Sequence, residues 1–169
     1  MFLNHRIDTA LLFRMGEEFA ARFKEDRPTV VLTVESSGIA MAVAAAHALG
    51  DIPVVFAKKS QSRNISNDVY TAKVESFTHG KVYDVVVSKE YLNPGDKILL
   101  IDDFLANGEA LRGLAKLVSD SGAQLVGAGI VIEKAFQPGG DNLRAEGMRV
   151  ESLARVSAMS ETDGITFVD

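Results

Sequence analysis

The stretch Lys97-Ile-Leu-Leu-Ile-Asp-Asp-Phe-Leu-Ala-Asn-Gly-Glu-Ala110 decides the fold predicted for this chain. Its unbroken Ile-Leu-Leu-Ile run predicts a buried strand over residues 97–103, because a strand covered on both faces is apolar at every position. Residues 110–121 predict a helix with leucines on one face, and Gly122 is placed to end it. A strand that leads through a short turn into a helix is a building unit of parallel sheets.

The same alternation of strands and helices continues on both sides of this stretch. We predict an α/β fold with a mostly parallel central sheet flanked by helices on both faces and one antiparallel hairpin, turning at His79-Gly80, inserted midway. The active site of such a sheet lies beyond the carboxyl ends of its strands. The other predicted segments are helices 7–24, with Asp8 as N-cap, and 38–48, and strands 29–34, 53–57, 69–77, 82–88, 124–133, 149–154 and 165–168.

Length and composition limit the classes of protein that the chain can represent. Its 169 residues predict a single domain, 1–169, and its net charge of −5 argues against nucleic-acid binding. No apolar run is long enough to predict a membrane span, and the first residues lack the layout of a secretory signal, so we expect a cytoplasmic protein. The absence of cysteine excludes disulfides and thiolate catalysis, and the three histidines have no metal-ligand spacing, so no protein metal site is predicted.

Two adjacent carboxylates, Asp102 and Asp103, end the apolar strand. Unpaired carboxylates are costly to bury, but at the carboxyl end of a strand they can face the hydroxyls of a ligand or a metal ion. The turn that follows has small residues and a glycine before a helix, and the free N–H groups and dipole of a helix start suit a phosphate. A ribose 5-phosphate would fit both features. The same residues also fit a strand that ends in solvated aspartates before an ordinary Asn-Gly turn.

The order of apolar strand, Asp-Asp, two residues, small residue, Asn and Gly resembles the phosphoribosyl pyrophosphate motif of type I phosphoribosyltransferases. The sequence Ile101-Asp-Asp-Phe-Leu-Ala-Asn-Gly108 is most similar to that of the bacterial xanthine phosphoribosyltransferases. Three further stretches resemble the same family in the same order: Phe2-Leu-Asn-His5, Val34-Glu-Ser-Ser-Gly-Ile-Ala40 and Ile132-Glu-Lys-Ala-Phe-Gln-Pro-Gly139.

The resemblance implies the type I phosphoribosyltransferase fold and a purine salvage enzyme. Such an enzyme transfers the 5-phosphoribosyl group of phosphoribosyl pyrophosphate to xanthine, with Mg²⁺ on the phosphoribosyl pyrophosphate, and forms xanthosine 5′-monophosphate and pyrophosphate. The resemblance also implies a homodimer. Two alternatives remain: a related enzyme that uses hypoxanthine, guanine or adenine, and a regulator that senses phosphoribosyl pyrophosphate and binds DNA. The regulator would need an added DNA-binding module and a basic surface, which an acidic chain of this length does not offer.

The resemblance assigns the phosphoribosyl site to four parts of the chain. Asp102 and Asp103, as the catalytic pair, would hold the 2′- and 3′-hydroxyls of the ribose. A mobile lid over approximately 58–89 would exclude water, and its Lys59 and Arg63 would bring positive charge to the leaving group. The backbone amides of the turn would bind the 5-phosphate, and the loop after the first strand would contact the pyrophosphate. The turn comprises Ala106, Asn107, Gly108, Glu109 and Ala110, and the loop comprises Glu35, Ser36, Ser37 and Gly38.

Two residues would select the base by the same resemblance. Lys134 would donate to the 6-oxo group of a purine, and a lysine has no acceptor for the amino group of adenine. Asn4 would donate to a 2-oxo group and favour xanthine over hypoxanthine. Without the family, Lys134 fits a solvated loop end and Asn4 fits ordinary surface, while Phe136 fits core packing better than packing on a base. The family usually has a further segment before Phe2 that forms part of the base pocket, so we expect either a more open pocket or a shortened sequence.

Overall fold

A six-stranded sheet forms the centre of the protein in the computed structural model, which describes residues 6–59, 68–76, 81–160, 162 and 164–168. Neighbouring strands are parallel except for the last pair, which is antiparallel. This arrangement confirms the predicted mostly parallel sheet. In spatial order the strands are β2 (Val54–Ala57), β1 (Val30–Val34), β5 (Lys97–Leu105), β6 (Gln124–Lys134), β7 (Val150–Ser160) and β8 (Gly164–Phe167).

Helices cover both faces of the sheet, as the sequence predicts. Helices α1 (Thr9–Phe23) and α2 (Gly38–Ala48) share one hydrophobic cluster, and α3 (Glu109–Ser121) and α4 (Gly139–Ala145) contribute to the other. The side chains of β5 alternate between these clusters: Ile98 and Leu100 belong to the α3 side, and Leu99 and Ile101 belong to the α1 side. The central strand therefore anchors both layers.

The helix ends follow the predicted signals. The Asp8 side chain accepts a hydrogen bond from the Leu11 N–H, 3.0 Å away, and so caps α1. Gly122 follows α3 with φ 74°, a left-handed conformation that glycine adopts without steric cost. No helix in the described part of the chain is long and apolar enough to cross a membrane.

The predicted hairpin forms a separate antiparallel sheet of β3 (Val69–Ser76) and β4 (Lys81–Ser88). Two backbone hydrogen bonds of 3.0 Å between Lys58 and Val86 tie it to the end of β2. On its inner face, Val74 occupies the space that a side chain at Gly113 of α3 would need. The hairpin is thus fixed at both β2 and α3. Its turn and most of the polar stretch 58–68 lie outside the described residues.

Two features differ from the predicted segments. The sequence predicts a strand over residues 149–154. The observed strand β7 continues to Ser160, because β8 pairs with its second half in an antiparallel ladder. No helix is predicted after β6, yet the structure has α4 there. This helix has seven residues, so it is too short to show an apolar period. It also begins with two glycines, and only proline favours a helix less than glycine does.

A close contact between α1 and α2 provides a test of the packing. A Cβ atom at Gly16 would lie 2.5 Å from the Ala44 backbone oxygen. We therefore expect Gly16→Ala to lower the free energy of unfolding by about 1–3 kcal/mol, although alanine alone would favour a helix interior. The measurement is urea denaturation. Gly95→Ala is the control, since nothing lies within 4 Å of a Cβ there, and its stability should stay within about 0.5 kcal/mol of the unchanged protein. An equal effect of the two substitutions would contradict the close packing.

Candidate active site

Three loops meet at one edge of the sheet, because β1, β5 and β6 are adjacent and parallel. These strands end at Val34, Leu105 and Lys134. The first loop is the predicted pyrophosphate loop, the second is the predicted 5-phosphate turn, and the third begins at the predicted base contact. The structure therefore brings together three segments that lie far apart in the sequence, at the edge where an α/β sheet holds its site.

Asp102 is a buried carboxyl group at this edge, with 6% of its surface exposed. It accepts a hydrogen bond from the Asp103 N–H at 3.0 Å, and Asp103 in turn accepts one from the Phe104 N–H at 3.0 Å. Burial and then the charge of Asp103 raise the pKa of Asp102 to about 8, against the lowering effects of that backbone hydrogen bond and of the charge of Lys59. Asp102 is therefore not a solvated strand end.

The turn after β5 leads directly into α3. Gly108 has φ 87° and makes no side-chain cap, so the first N–H groups of α3 have no partner within the helix or from its N-cap side chain. A cavity of about 180 Å³ lies over these groups. The cavity can accept a small anionic group at the helix start. Its lining consists of Val74, Glu75, Tyr83, Asp102, Phe104, Leu105, Ala106, Asn107, Gly108, Glu109, Ala110 and Leu111.

Lys59 lies beside the same site. Its backbone N–H donates to the Glu35 carboxylate at 2.8 Å, which holds the start of the predicted lid against the predicted pyrophosphate loop. Its ammonium group lies 5.8 Å from the centre of the Tyr83 ring. The charge of Lys59 also lowers the pKa of Asp102. Lys59 therefore interacts with the loop after β1, with the hairpin and with the end of β5.

Glu75 and Tyr83 line the cavity and were not predicted from the sequence. Burial and then the negative charge of Asp102 raise the pKa of Tyr83, which reflects the short distance between the hairpin and the end of β5. The sequence indicates the hairpin itself, but it does not indicate which sheet edge the hairpin covers. The only local signal is Gly113, a glycine on the apolar face of α3 where Val74 packs.

Lys134 ends β6 in a half-buried position, and its carbonyl oxygen accepts a hydrogen bond from the Gln137 N–H at 2.9 Å. Phe136 in the same loop is 48% exposed, so the expectation that it fills the core is wrong. The loop turns this ring outward, where it has no core to fill. Asn4 and Arg63 lie outside the described residues. Among the residues that the structure describes, no group of three or more His, Asp or Glu side chains could hold a metal ion.

The sequence model of the phosphoribosyl transferase domain matches residues 8–142, which include the three loops and the hairpin. The chain belongs to the phosphoribosyltransferase family. Xanthine phosphoribosyltransferase of Bifidobacterium longum subsp. infantis is 56% identical over 167 residues, which cover 98% of this chain and 86% of that protein. The enzyme of the same name from Lachnoclostridium phytofermentans is 53% identical over 163 residues, or 96% and 84% of the two chains.

Solved structures share the fold of this family member. APRTase from Giardia lamblia, complexed with 9-deazaadenine, superimposes with a TM-score of 0.78 at 25% identity and covers 88% of this chain and 81% of its own. Adenine phosphoribosyl transferase from Trypanosoma brucei gives a TM-score of 0.76 at 19% identity, with 93% and 69% of the two chains covered. The type I phosphoribosyltransferase fold implied by the sequence is thereby confirmed.

The raised pKa of Asp102 predicts how stability depends on pH. An unfolded aspartate has a pKa of about 3.8, whereas burial raises the pKa of Asp102 in the folded protein to about 8. Between these values the folded state binds more protons, so its stability falls as pH rises. Asparagine has nearly the same shape and no charge. We expect Asp102→Asn to increase the free energy of unfolding near pH 8, and the increase to shrink towards pH 4.

Urea denaturation at several pH values measures this effect. Glu17→Gln is the control, because it changes an exposed carboxylate on α1, and its stability difference should not vary in this way. A difference for Asp102→Asn that is constant with pH would mean that the folded protein ionises Asp102 as readily as the unfolded chain does.

Proposed function

We propose that this protein is a xanthine phosphoribosyltransferase of purine salvage. It transfers the 5-phosphoribosyl group of phosphoribosyl pyrophosphate to xanthine and produces xanthosine 5′-monophosphate and pyrophosphate. The observation that carries the proposal is the 51–56% identity to curated enzymes of that name across nearly the whole chain. The buried acid and free helix amides at one cavity support it with the chemistry that a ribose 5-phosphate needs.

The ribose and its 5-phosphate would bind at the end of β5. Asp102 and Asp103 contact the 2′- and 3′-hydroxyls, and a carboxyl group that keeps its proton near neutral pH can both donate to a hydroxyl and accept from one. The backbone N–H groups of residues 106–110 surround the phosphate, and the dipole of α3 stabilises its charge. The cavity lies over both groups, which supports this orientation of the sugar phosphate.

The pyrophosphate would lie against the loop of Glu35, Ser36, Ser37 and Gly38, with Lys59 beside it. The hydrogen bond between Glu35 and Lys59 supports this assignment, because it joins the two segments that would hold the leaving group. Mg²⁺ usually binds through substrate phosphates and one or two carboxylates, without a cage of protein ligands. Asp103 is the carboxylate that would share it with the substrate, and when bound it would neutralise charge on the leaving pyrophosphate.

The base would lie next to Lys134, with Asn4 on its 2-position side. The ammonium group of Lys134 donates to the 6-oxo group, which orients the purine nitrogen towards C1 of the ribose. This chain supplies no evident general base among its described site residues. Positioning of the two substrates and stabilisation of the positive charge that develops on the ribose account for the catalysis that we propose.

The proposal extends to the organisation of the protein. Residues 1–169 form one phosphoribosyltransferase domain, and approximately 58–89 act as its lid. The fixed hydrogen bonds of the hairpin to β2 support a lid whose frame stays in place over the site. The protein works in the cytoplasm as a homodimer, with a purine base and phosphoribosyl pyrophosphate as its substrates and neither nucleic acid nor a membrane as its partner.

Pyrophosphate release tests the substrate assignment. We expect the protein to release pyrophosphate fastest with Mg²⁺, phosphoribosyl pyrophosphate and xanthine, more slowly with hypoxanthine or guanine, and least with adenine, because Lys134 cannot accept from an amino group. If none of these four bases supports pyrophosphate release, the enzymatic proposal is wrong. Equal rates with adenine and xanthine would remove the role given to Lys134.

Substitution of Asp103 tests the ribose assignment. A hydrogen bond to a charged group contributes about 1.5–3 kcal/mol, so Asp103→Asn should lower kcat/KM roughly 10- to 100-fold while the circular dichroism spectrum stays the same. The control is Asp120→Asn, since Asp120 lies on α3 away from the cavity and pairs with Lys116. Full activity of Asp103→Asn would show that this carboxylate does not bind the ribose.

A further inference from the structure

Glu133, the residue before Lys134, is a buried carboxylate with 1% of its surface exposed. Arg144 donates to both of its oxygens at 2.8 and 2.7 Å, the Ser152 hydroxyl lies at 2.5 Å, and Arg155 Nε lies at 3.3 Å. Burial alone would raise the pKa of Glu133, but the hydrogen bonds from Arg144 and Ser152 and the charges of both arginines lower it to about 2. This carboxylate is therefore ionised, and its position is fixed from several directions.

Helix α4 lies directly on this ion pair. A side chain at Gly140 would overlap Glu133 Oε1, and its Cβ atom would lie 2.8 Å from Arg144 Nη1. Arg144 belongs to the last turn of α4 and also donates to the Val150 oxygen of β7 at 3.3 Å. One face of the helix is thus held on the end of β6, next to the residue that would contact the base.

The other side of α4 contacts the predicted 5-phosphate turn. The Gly139 N–H donates to the Ala106 oxygen at 3.2 Å, and a Cβ atom at Gly139 would lie 2.8 Å from Gly108 N. The fully buried Leu143 packs against Gly108, where a Cβ atom would lie 3.1 Å from Leu143 Cδ1. The helix and the turn are therefore in direct contact.

An ion pair secures this side as well. Arg112 of α3 donates to Glu146, the C-cap residue of α4, at 2.8 Å and to the Asn107 oxygen at 3.1 Å. The same seven-residue helix is therefore bonded to the end of β6 on one side and to the turn after β5 on the other. A displacement of either loop has to move α4.

We propose that α4 sets the distance between the base and the 5-phosphate, and that Glu133 and Arg144 are positioning residues that act through it. The proposal rests on the proposed function, because it takes Lys134 as the base contact and the turn as the phosphate site. A buried ion pair is often no more stabilising than apolar residues of the same volume, so stability alone does not require one here. A positioning role gives a reason for the ion pair, because misplacement of a reacting group by about 1 Å can cost on the order of 100-fold in rate.

Two ligands separate positioning from folding when their binding is measured by calorimetry. Ribose 5-phosphate would occupy only the aspartates and the turn at the end of β5, whereas xanthosine 5′-monophosphate would also reach the base site. We expect Glu133→Gln to weaken the binding of xanthosine 5′-monophosphate by about tenfold or more and that of ribose 5-phosphate by less than about twofold. Arg144→Lys, which keeps the charge but loses the two-pronged contact, should have the same pattern to a smaller degree. In turnover, the KM for xanthine should rise while the KM for phosphoribosyl pyrophosphate changes little.

Arg149→Lys is the matched control. Arg149 also pairs with a carboxylate, Asp26 at 2.7 Å, and donates to the Arg22 oxygen of α1; among the described residues its side chain makes no hydrogen bond or ion pair with α4 or with either loop. It should leave both affinities unchanged even where it lowers the melting temperature. If Glu133→Gln does not fold, Arg144→Lys gives the same comparison in a protein that keeps its charge balance.

The outcomes distinguish the inference from the function on which it rests. The positioning role would be overturned if folded Glu133→Gln or Arg144→Lys weakens the binding of both ligands equally. It would also be overturned if neither affinity changes. If the unchanged protein binds ribose 5-phosphate but not xanthosine 5′-monophosphate, the base assignment in the proposed function is wrong. The nucleotide of whichever purine supports pyrophosphate release then replaces xanthosine 5′-monophosphate in the same comparison.

Discussion

The burial of β5 on both faces is the constraint on which the rest of the molecule depends. Successive residues from Ile98 to Ile101 enter opposite hydrophobic clusters, and all four have no exposed surface. A strand in this position needs a layer of helices on each side and parallel neighbours at both edges. Its carboxyl end is then the place where polar residues meet the site. The adjacent aspartates follow its apolar run near that end, so the strand that builds the core also carries the proposed ribose contacts.

The sequence predicted most of the regular structure for this reason. The apolar runs of β1, β5 and β6 and the one-sided leucines of α3 are strong signals, because each belongs to an element whose burial leaves little freedom of composition. The order of these elements then places the loops after β1, β5 and β6 at one edge. The motif adds the proposal that these loops hold the phosphoribosyl group, and the structure brings Glu35, Lys59 and Asp102 into one neighbourhood.

What the sequence could not predict depends on contacts between distant segments. Tyr83 and Glu75 reach the cavity only because the hairpin lies on α3, and no local pattern encodes that docking. Helix α4 was missed because seven residues that begin with two glycines carry no helical period. The sequence also did not decide whether Asp102 is buried, since an aspartate that follows an apolar run can equally be exposed to solvent. In each case the deciding energy comes from tertiary neighbours and not from local propensity.

Gly139 and Gly140 have a consequence for how this protein can evolve. Each glycine is required by a different neighbour, the first by the turn at Ala106 and the second by Glu133. Surface loops usually tolerate insertions and deletions, but a change in the length of segment 135–138 would move other side chains into these two positions. The loop between β6 and α4 is therefore fixed in length although it lies on the surface. With Lys134 as the proposed base contact, new base preferences should arise by replacing the side chains of this loop, and not by making it longer or shorter.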